Sequence, residues 1–262
     1  MTSTMSSGTK LVKQDKLRYW MDPNEHLSGT SVNDVHASNS TTSWNNATLT
    51  SATHSSDNQG VYSMSSGGKI QFPTSTSNNP FRTLWLPNSG TLNKTVSAWV
   101  YCTSSEAVDI FQTDTSGTTY YDVTWKFRVE SNGKLRMYLY RIPSGVNNSA
   151  YWESTNSIVD YDAWTYITMT TQDNGLSGNQ RWMNFKYYKN GVLVDDSPTK
   201  TTIGSNNTFR ANPAESWYMA GVNITRLFVG DDHKAGPLYV HDVTLTAAEI
   251  KRNYMQHKSR FQ

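Results

Sequence analysis

The sequence predicts an all-β fold, a two-sheet antiparallel sandwich with one short helix near its C-terminus, and three observations predict it. Apolar and polar residues alternate at a period of two in several runs between Thr95 and Val229. Two of those runs are each split by an Asn-Gly pair, Asn132-Gly133 and Asn190-Gly191, the strongest short-range hairpin signal. No helical pattern separates the runs, so the strand-helix-strand rhythm of a parallel sheet is missing.

Each element follows from its residues. The first ten, MTSTMSSGTK, carry too little apolar surface to offset the entropy of ordering them, so residues 1–16 read as an N-terminal arm and 17–262 as one domain. LRYWMDPN, from Leu17 to Asn24, begins as a strand and ends in an Asp22-Pro23 turn. Residues 27–60 have few apolar anchors and read as loops punctuated by short strands; His36 and His54 stand isolated there, without ligand-like partners at fixed spacing. Lys69 to Phe72 and Thr83 to Leu86 are short strands stopped by prolines.

The β pattern is clearest further on. In Thr95 to Tyr101, Val96, Ala98 and Val100 share a face, and in Trp125 to Glu130, Trp125, Phe127 and Val129 do. Asn132-Gly133 joins the second run to LRMYLY, giving a hairpin over 125–140. Ala163 to Thr171 is another strand, FKYYK and VLVDD flank the second Asn-Gly turn, and Trp217 to Gly221 and Leu227 to Val229 add two short ones. In GPLYVHDVTLTAAEIKRNY, Leu238 and Val240 face one way and Tyr239, His241 and Val243 the other, so both faces of this strand can be covered. The period then changes: Thr246 and Glu249 form a capping box, and Ile250 and Tyr254 share one helical face.

Composition narrows the functional classes. The 262 residues fit one large β domain, and 12% aromatic residues can fill its core from few positions. A formal charge of +2 provides no basic field for nucleic acid. The single cysteine, Cys102, excludes an internal disulfide and reads as a small buried thiol. The first twenty residues lack the apolar core of a signal peptide and no segment is long enough to span a bilayer, so synthesis in the cytoplasm without membrane insertion is expected.

The order VSAWVY, hairpin, AWTYITMTT, FKYYKNGVLV, RLFVG and GPLYVHDVTLTAAEI resembles the laminin G-like, concanavalin A-like lectin/glucanase family. The motifs that carry the resemblance are Trp164, Tyr188 to Val194, and Gly236 to Ile250, across about residues 94 to 254. It implies a jelly-roll form of the sandwich. LRYWMDPN, SWNNATLT and GGKIQF are similar to the N-terminal portions of such domains in phage and other viral structural proteins. That similarity implies a non-enzymatic virion component, a capsid decoration, head fibre or tail-associated protein made in the host cytoplasm, whose partners are other virion proteins and copies of itself. A free carbohydrate-binding lectin-like module is the alternative, and a glycoside hydrolase the third class.

Glycoside hydrolysis needs two carboxylates roughly 5–10 Å apart. The close acidic pairs are Glu106 with Asp109, Asp160 with Asp162, and Asp195 with Asp196; each borders a loop, and no catalytic residue is expected among them. TQDNG, at 171–175, is similar to a sialidase Asp box, but it occurs once and Trp182 is too distant, so a turn between strands explains it better. No cofactor is expected; Asp231-Asp232 is the nearest approach to a calcium loop. For a cell-surface glycan the candidate residues are Tyr120, Tyr121, Tyr151 and Trp152, aromatics in polar contexts whose faces could stack on sugar C–H surfaces. Lys251, Arg252, Lys258 and Arg260 complement the dipole of the closing helix.

Overall fold

Alternating runs of apolar and polar residues become strands here because each can bury one face, and among the described residues only the capped segment at the end becomes an α-helix. In a computed structural model the described residues are 12–25, 29–32, 47–72, 93–103, 106–115, 122–142, 148–177, 180–203 and 222–262. The predicted strands at Thr83 to Leu86 and Trp217 to Gly221, with His36, lie outside them.

The described strands, in chain order, are β1 (Leu17–Met21), β2 (Ser31–Val32), β3 (Ala47–Ser55), β4 (Val61–Gln71), β5 (Lys94–Cys102), β6 (Val108–Thr115), β7 (Asp122–Val129), β8 (Leu135–Ile142), β9 (Asn148–Glu153), β10 (Trp164–Ser177), β11 (Gln180–Lys189), β12 (Val192–Asp195), β13 (Thr199–Ile203), β14 (Val222–Gly230) and β15 (His233–His241). Helix α1 spans Ala247–Phe261. All the strand pairings are antiparallel, and the strands follow one path, β12-β11-β10-β5-β15-β4-β14-β6-β7-β8-β9-β13, with β1 beside β15 and β3 beside β4.

The path curls into two layers. β4 makes the corner: Tyr62 to Met64 pair with β15, whereas Gly68 to Gln71 pair with β14. A side chain at Gly68 would meet the Ser51 and Ser65 carbonyls at 2.9 and 2.8 Å, so the bend requires glycine. The layers meet face to face. Phe127 of β7 stacks parallel to Tyr187 of β11 at 6.3 Å, and Trp152 of β9 packs on Phe185 of β11 at 4.4 Å. The predicted sandwich is therefore present, with its two sheets joined at one corner.

The first layer, β12-β11-β10-β5-β15, is covered on both sides except at β12. Its inner face contributes Val96, Ala98, Val100, Ile167, Met169, Leu238 and Val240 to the core between layers. On its outer face Trp99, Tyr166, Tyr188 and Tyr239 pack beneath Leu245, Ile250, Tyr254 and Phe261 of the α1 segment. Trp99 lies parallel to Tyr254 and to Phe261, at 5.6 and 4.6 Å. This explains why β5 is buried almost throughout. The capping box forms as predicted, with Thr246 Oγ1 accepting from the Glu249 amide and the Glu249 carboxylate accepting from the Thr246 amide.

Arg260, near the end of α1, reaches back to Asp22. Its Nη1 donates to both Asp22 oxygens at 3.0 Å, and its other nitrogens donate to the carbonyls of Asn58, Gln59 and Gly60. Both side chains are buried. Residues 12–16, assigned from sequence to the arm, are fastened to the domain: Val12 N donates to Asn253 Oδ1, and Asp242 N donates to the Lys16 carbonyl.

Four further readings change. Much of 47–60, read as loop, is the nine-residue β3, because Ala47 and Leu49 bury one face while Thr48 and Thr50 point out. His54 sits on that strand, within hydrogen-bonding distance of the Pro23 carbonyl at 2.9 Å. TQDNG is not a turn; β10 runs through it to Ser177, with an irregular register between Asp173 and Leu176 and the Asp173 amide held by Asn93 Oδ1 at 2.7 Å. The two Asn-Gly turns also differ. Asn190 and Gly191 both have positive φ, as a two-residue hairpin turn demands, whereas at 132–133 only Gly133 does.

Candidate functional site

The second layer presents a different outer face, and the same alternation builds it. In β7 Trp125, Phe127 and Val129 point inward, which sends Lys126 and Arg128, with Glu130 just beyond the strand, outward. In β8 Leu135 and Met137 point in and Arg136 and Tyr138 out; in β9 Trp152 points in and Tyr151 and Glu153 out. Strand register then lines these residues up in two cross-strand rows. Asp109, Arg128, Arg136 and Glu153 are successive partners across β6, β7, β8 and β9. Lys126, Tyr138 and Tyr151 form the neighbouring row.

The rows are cross-linked through Arg136. Its Nε donates to Glu153 Oε2 at 2.8 Å, its Nη1 lies 3.1 Å from Glu130 Oε1, and Nη1 also donates to the Tyr138 hydroxyl. Its guanidinium carbon stands over the Tyr151 ring at 4.3 Å and over Tyr138 at 5.2 Å. Tyr138 in turn donates to Glu130 Oε1 at 2.7 Å. Burial together with that bond to Glu130 pushes the Tyr138 phenol up to about 12, so it remains a donor at neutral pH. Burial opposes the charge on Arg136, but hydrogen bonds to Glu153 and Tyr138 outweigh it and hold its pKa above the ordinary arginine range. Lys134 Nζ adds a contact to Glu153 Oε1 at 3.4 Å.

At the far end of the first row, Asp109 is held by Arg128, through Nε and through Nη2 at 3.2 Å, and by Lys126 at 3.1 Å. The result is an outer-face network of carboxylate and guanidinium groups, half-buried except for the buried Asp109, beside a pair of tyrosines 5.5 Å apart of which Tyr138 is buried and Tyr151 half-buried. Fixed donors, fixed acceptors and aromatic faces in one patch suit a ligand carrying many hydroxyl groups on a carbon frame with apolar C–H faces.

Of the four aromatics picked from the sequence as glycan candidates, Tyr151 lies in this patch; its neighbours there were not among them. Tyr151 is half-buried on the outer face, against Arg136 and Tyr138. Trp152 is a correction: it is only 9% exposed and packs in the core, because adjacent residues of a strand point to opposite faces. Its carbonyl accepts from Tyr187 Oη at 2.6 Å. Tyr120 and Tyr121 lie outside the described residues. Arg128, Arg136 and Tyr138 were findable, since the Asn132-Gly133 turn fixes which residues of β7 and β8 stand opposite each other; Glu153, on β9, was not.

One member of each acidic pair holds structure together. Asp109 is locked in its ion pairs, Asp160 pairs with Lys189 at 2.7 Å, and Asp195 accepts from the amides of Thr155 and Ser197 at 2.7 and 3.0 Å. Asp231 Oδ1 accepts from Gly67 N at 2.7 Å and so fastens the β4 corner, while the Asp232 carbonyl accepts from Thr103. Among the described residues no group of three or more His, Cys, Asp or Glu is placed to hold a metal ion. Cys102 is buried, and burial pushes its thiol up to about 12. Away from this face, a concavity of about 240 Å³ is lined by Ser154, Asn156, Ser157, Ile158, Lys189, Val194 and Asp195, where β12 meets the segment after β9.

A laminin G family model, described as the concanavalin A-like lectin/glucanases superfamily, matches residues 65–251, more than half of the chain. Nothing among curated proteins matches. Solved structures with a similar fold include the binding domain of botulinum neurotoxin DC in complex with rat synaptotagmin II, at 13% identity and a TM-score of 0.55 over 93% of this chain and 52% of that one. A botulinum neurotoxin type C structure, whose title says that cell entry depends on interaction with two ganglioside molecules, has 15% identity and a TM-score of 0.54 over the same shares. Trypanosoma rangeli sialidase in complex with sialic acid has 10% identity and a TM-score of 0.55 over 95% of this chain and 34% of that one. The chain thus spans about half the length of the toxin chains and a third of the sialidase.

Proposed function

The chain belongs to the concanavalin A-like lectin/glucanases superfamily, and from that premise we propose that it is a non-enzymatic adhesion domain that takes carbohydrate on the outer face of β6 to β9. One observation carries this reading: Arg136 is held between Glu130 and Glu153 and packed on Tyr138 and Tyr151, which makes a preformed array of donors, acceptors and one half-buried aromatic ring. Two structural neighbours, a neurotoxin whose cell entry depends on interaction with two ganglioside molecules and a sialidase in complex with sialic acid, support a glycan as the ligand class. The test is a glycan array on the whole chain. Binding is expected, and it should be lost in Tyr151→Ala and Glu153→Gln while thermal unfolding of both variants stays near that of the parent. No glycan retained, or retention unchanged by both substitutions, overturns the assignment. Release of reducing sugar that disappears in Glu130→Gln or Glu153→Gln overturns the non-enzymatic part.

The setting proposed for this domain is a virion, as a capsid-decorating, head-fibre or tail-associated protein. The similarity of LRYWMDPN, SWNNATLT and GGKIQF to viral structural proteins supports it, as does the polar arm ahead of Val12. Deleting residues 1–11 spares the contact of Val12 with Asn253 and should leave the domain folded. Incorporation into particles is expected to fail in that deletion, and normal incorporation would remove the arm's role.

A further inference from the structure

Among the described residues the two ends of the curled sheet, β12 and β13, are both edge strands, and they are built differently. An edge presents unpaired amide and carbonyl groups, and proteins commonly blunt one with lysine or proline. β13 follows that rule, with Pro198 just before it and an exposed Lys200 within it. β12 does not. Its three consecutive apolar residues, Val192, Leu193 and Val194, are 55, 40 and 44% exposed. Five large hydrophobic side chains are exposed among the described residues, and these are three of them. A fourth, Met255, lies one helical turn beyond Lys251, which packs against Gly191 at the start of β12.

Charge flanks this patch unevenly. Lys251 stands at the entry of β12, its Nζ donating to the Asn190 carbonyl at 3.3 Å, and Asp195 and an exposed Asp196 stand at the exit. The edge is self-complementary under a two-fold axis. Antiparallel pairing with a second copy sets the basic entry of each strand beside the acidic exit of the other.

We propose that β12 is a homodimer interface, in which two copies pair this strand edge to edge about Leu193 and continue the first layer from one subunit into the other. In that register Val192 opposes the partner subunit's Val194, and Asn190 opposes the partner subunit's Asp196, which brings the latter beside Lys251. The proposal is independent of the glycan reading, because it uses neither face of β7 to β9.

Sedimentation of the full chain across a concentration series is expected to show a monomer–dimer equilibrium. Leu193→Lys should abolish the dimer while circular dichroism and thermal unfolding stay those of the parent. Asp196→Lys or Lys251→Glu alone should weaken it about tenfold, and the two together should recover most of the loss. Leu193→Cys should form a disulfide-linked dimer under mild oxidation, since directly opposed residues bring their Cβ atoms to about 5 Å, whereas Thr201→Cys on β13 should not. A chain that stays monomeric at every concentration, or a dimer indifferent to Leu193→Lys, overturns the proposal.

Discussion

The outer face of β5, β10 and β15 carries Trp99, Tyr166 and Tyr239 and lies beneath α1, whereas the outer face of β7, β8 and β9 carries Arg128, Arg136, Tyr138 and Tyr151, with no described helix over it. Both faces arise from the same period of two and back onto the same core. They differ in how they satisfy polar atoms. The roofed face holds a few, such as the indole of Trp99, inside apolar packing; the open face pairs nearly every charge with an opposite one. One layer therefore gives rigidity, and the other carries the charged network on which the glycan is proposed to bind.

The sharpest way to break this contrast is to cut into the roofed face. Trp99→Ala should cost about 4 kcal/mol, because the stacked rings of Tyr254 and Phe261 would lose the surface they rest on. Denaturant unfolding measures that loss. Glycan retention below the lowered melting temperature should be unchanged, and a variant that loses binding before it loses its fold would erase the distinction between the faces.

Acid tests the same separation without mutation. His257, under the roof beside Tyr239, has its pKa lowered to about 4, mainly by burial and further by Arg260, against an opposing pull from Asp22. Burial lowers His233 to about 4 as well, against the pull of the Asp231 and Phe228 carbonyls. The unfolded chain takes up these protons near 6.5 and the folded chain only near 4. Stability is thus complete above pH 6.5 and falls as pH drops from there to about 4, by on the order of 3 kcal/mol per histidine. Urea midpoints at pH 7 and pH 4.5 read the effect, and His257→Gln should flatten part of the slope. An unchanged slope in that variant would show that His257 is not one of the sources.

On the open face the expected stability effect is smaller. Arg136→Met removes the guanidinium from over Tyr151 and leaves Glu130 and Glu153 without their shared cation, at a cost of about 2 kcal/mol. Glycan retention should vanish even where the variant is fully folded. Retention that survives would move the ligand off this face, towards the concavity beside Ser157 and Asp195.

What could be read from the sequence was local. Alternation gave the inward faces of β5, β7 and β8, the Asn-Gly pairs gave two hairpins, and Thr246 with Glu249 gave the start of α1, because each depends on residues a few positions apart. β9 read as a polar loop because Asn148, Ser149 and Glu153 surround its aromatics, so Trp152 passed for a surface residue. β3 stayed hidden for a related reason: its Ser and Thr residues are held by pairing with β4 and not by their own burial. The charged rows depend on register across four strands, which joins Asp109 to Glu153 through partners no short window contains. Asp22 read correctly as a turn residue, and its partner lies 238 positions away.

That last pair also bears on the order in which the molecule can be completed. Asp22 leaves the ribosome early and Arg260 late, so for most of synthesis the carboxylate waits without its guanidinium and the outer aromatic face of the first layer waits without its cover. Every strand exists before the roof does. A chaperone meeting the unfinished chain would find Trp99, Tyr166 and Tyr239 exposed together, and closure of the buried clasp is then the step that takes this surface out of reach.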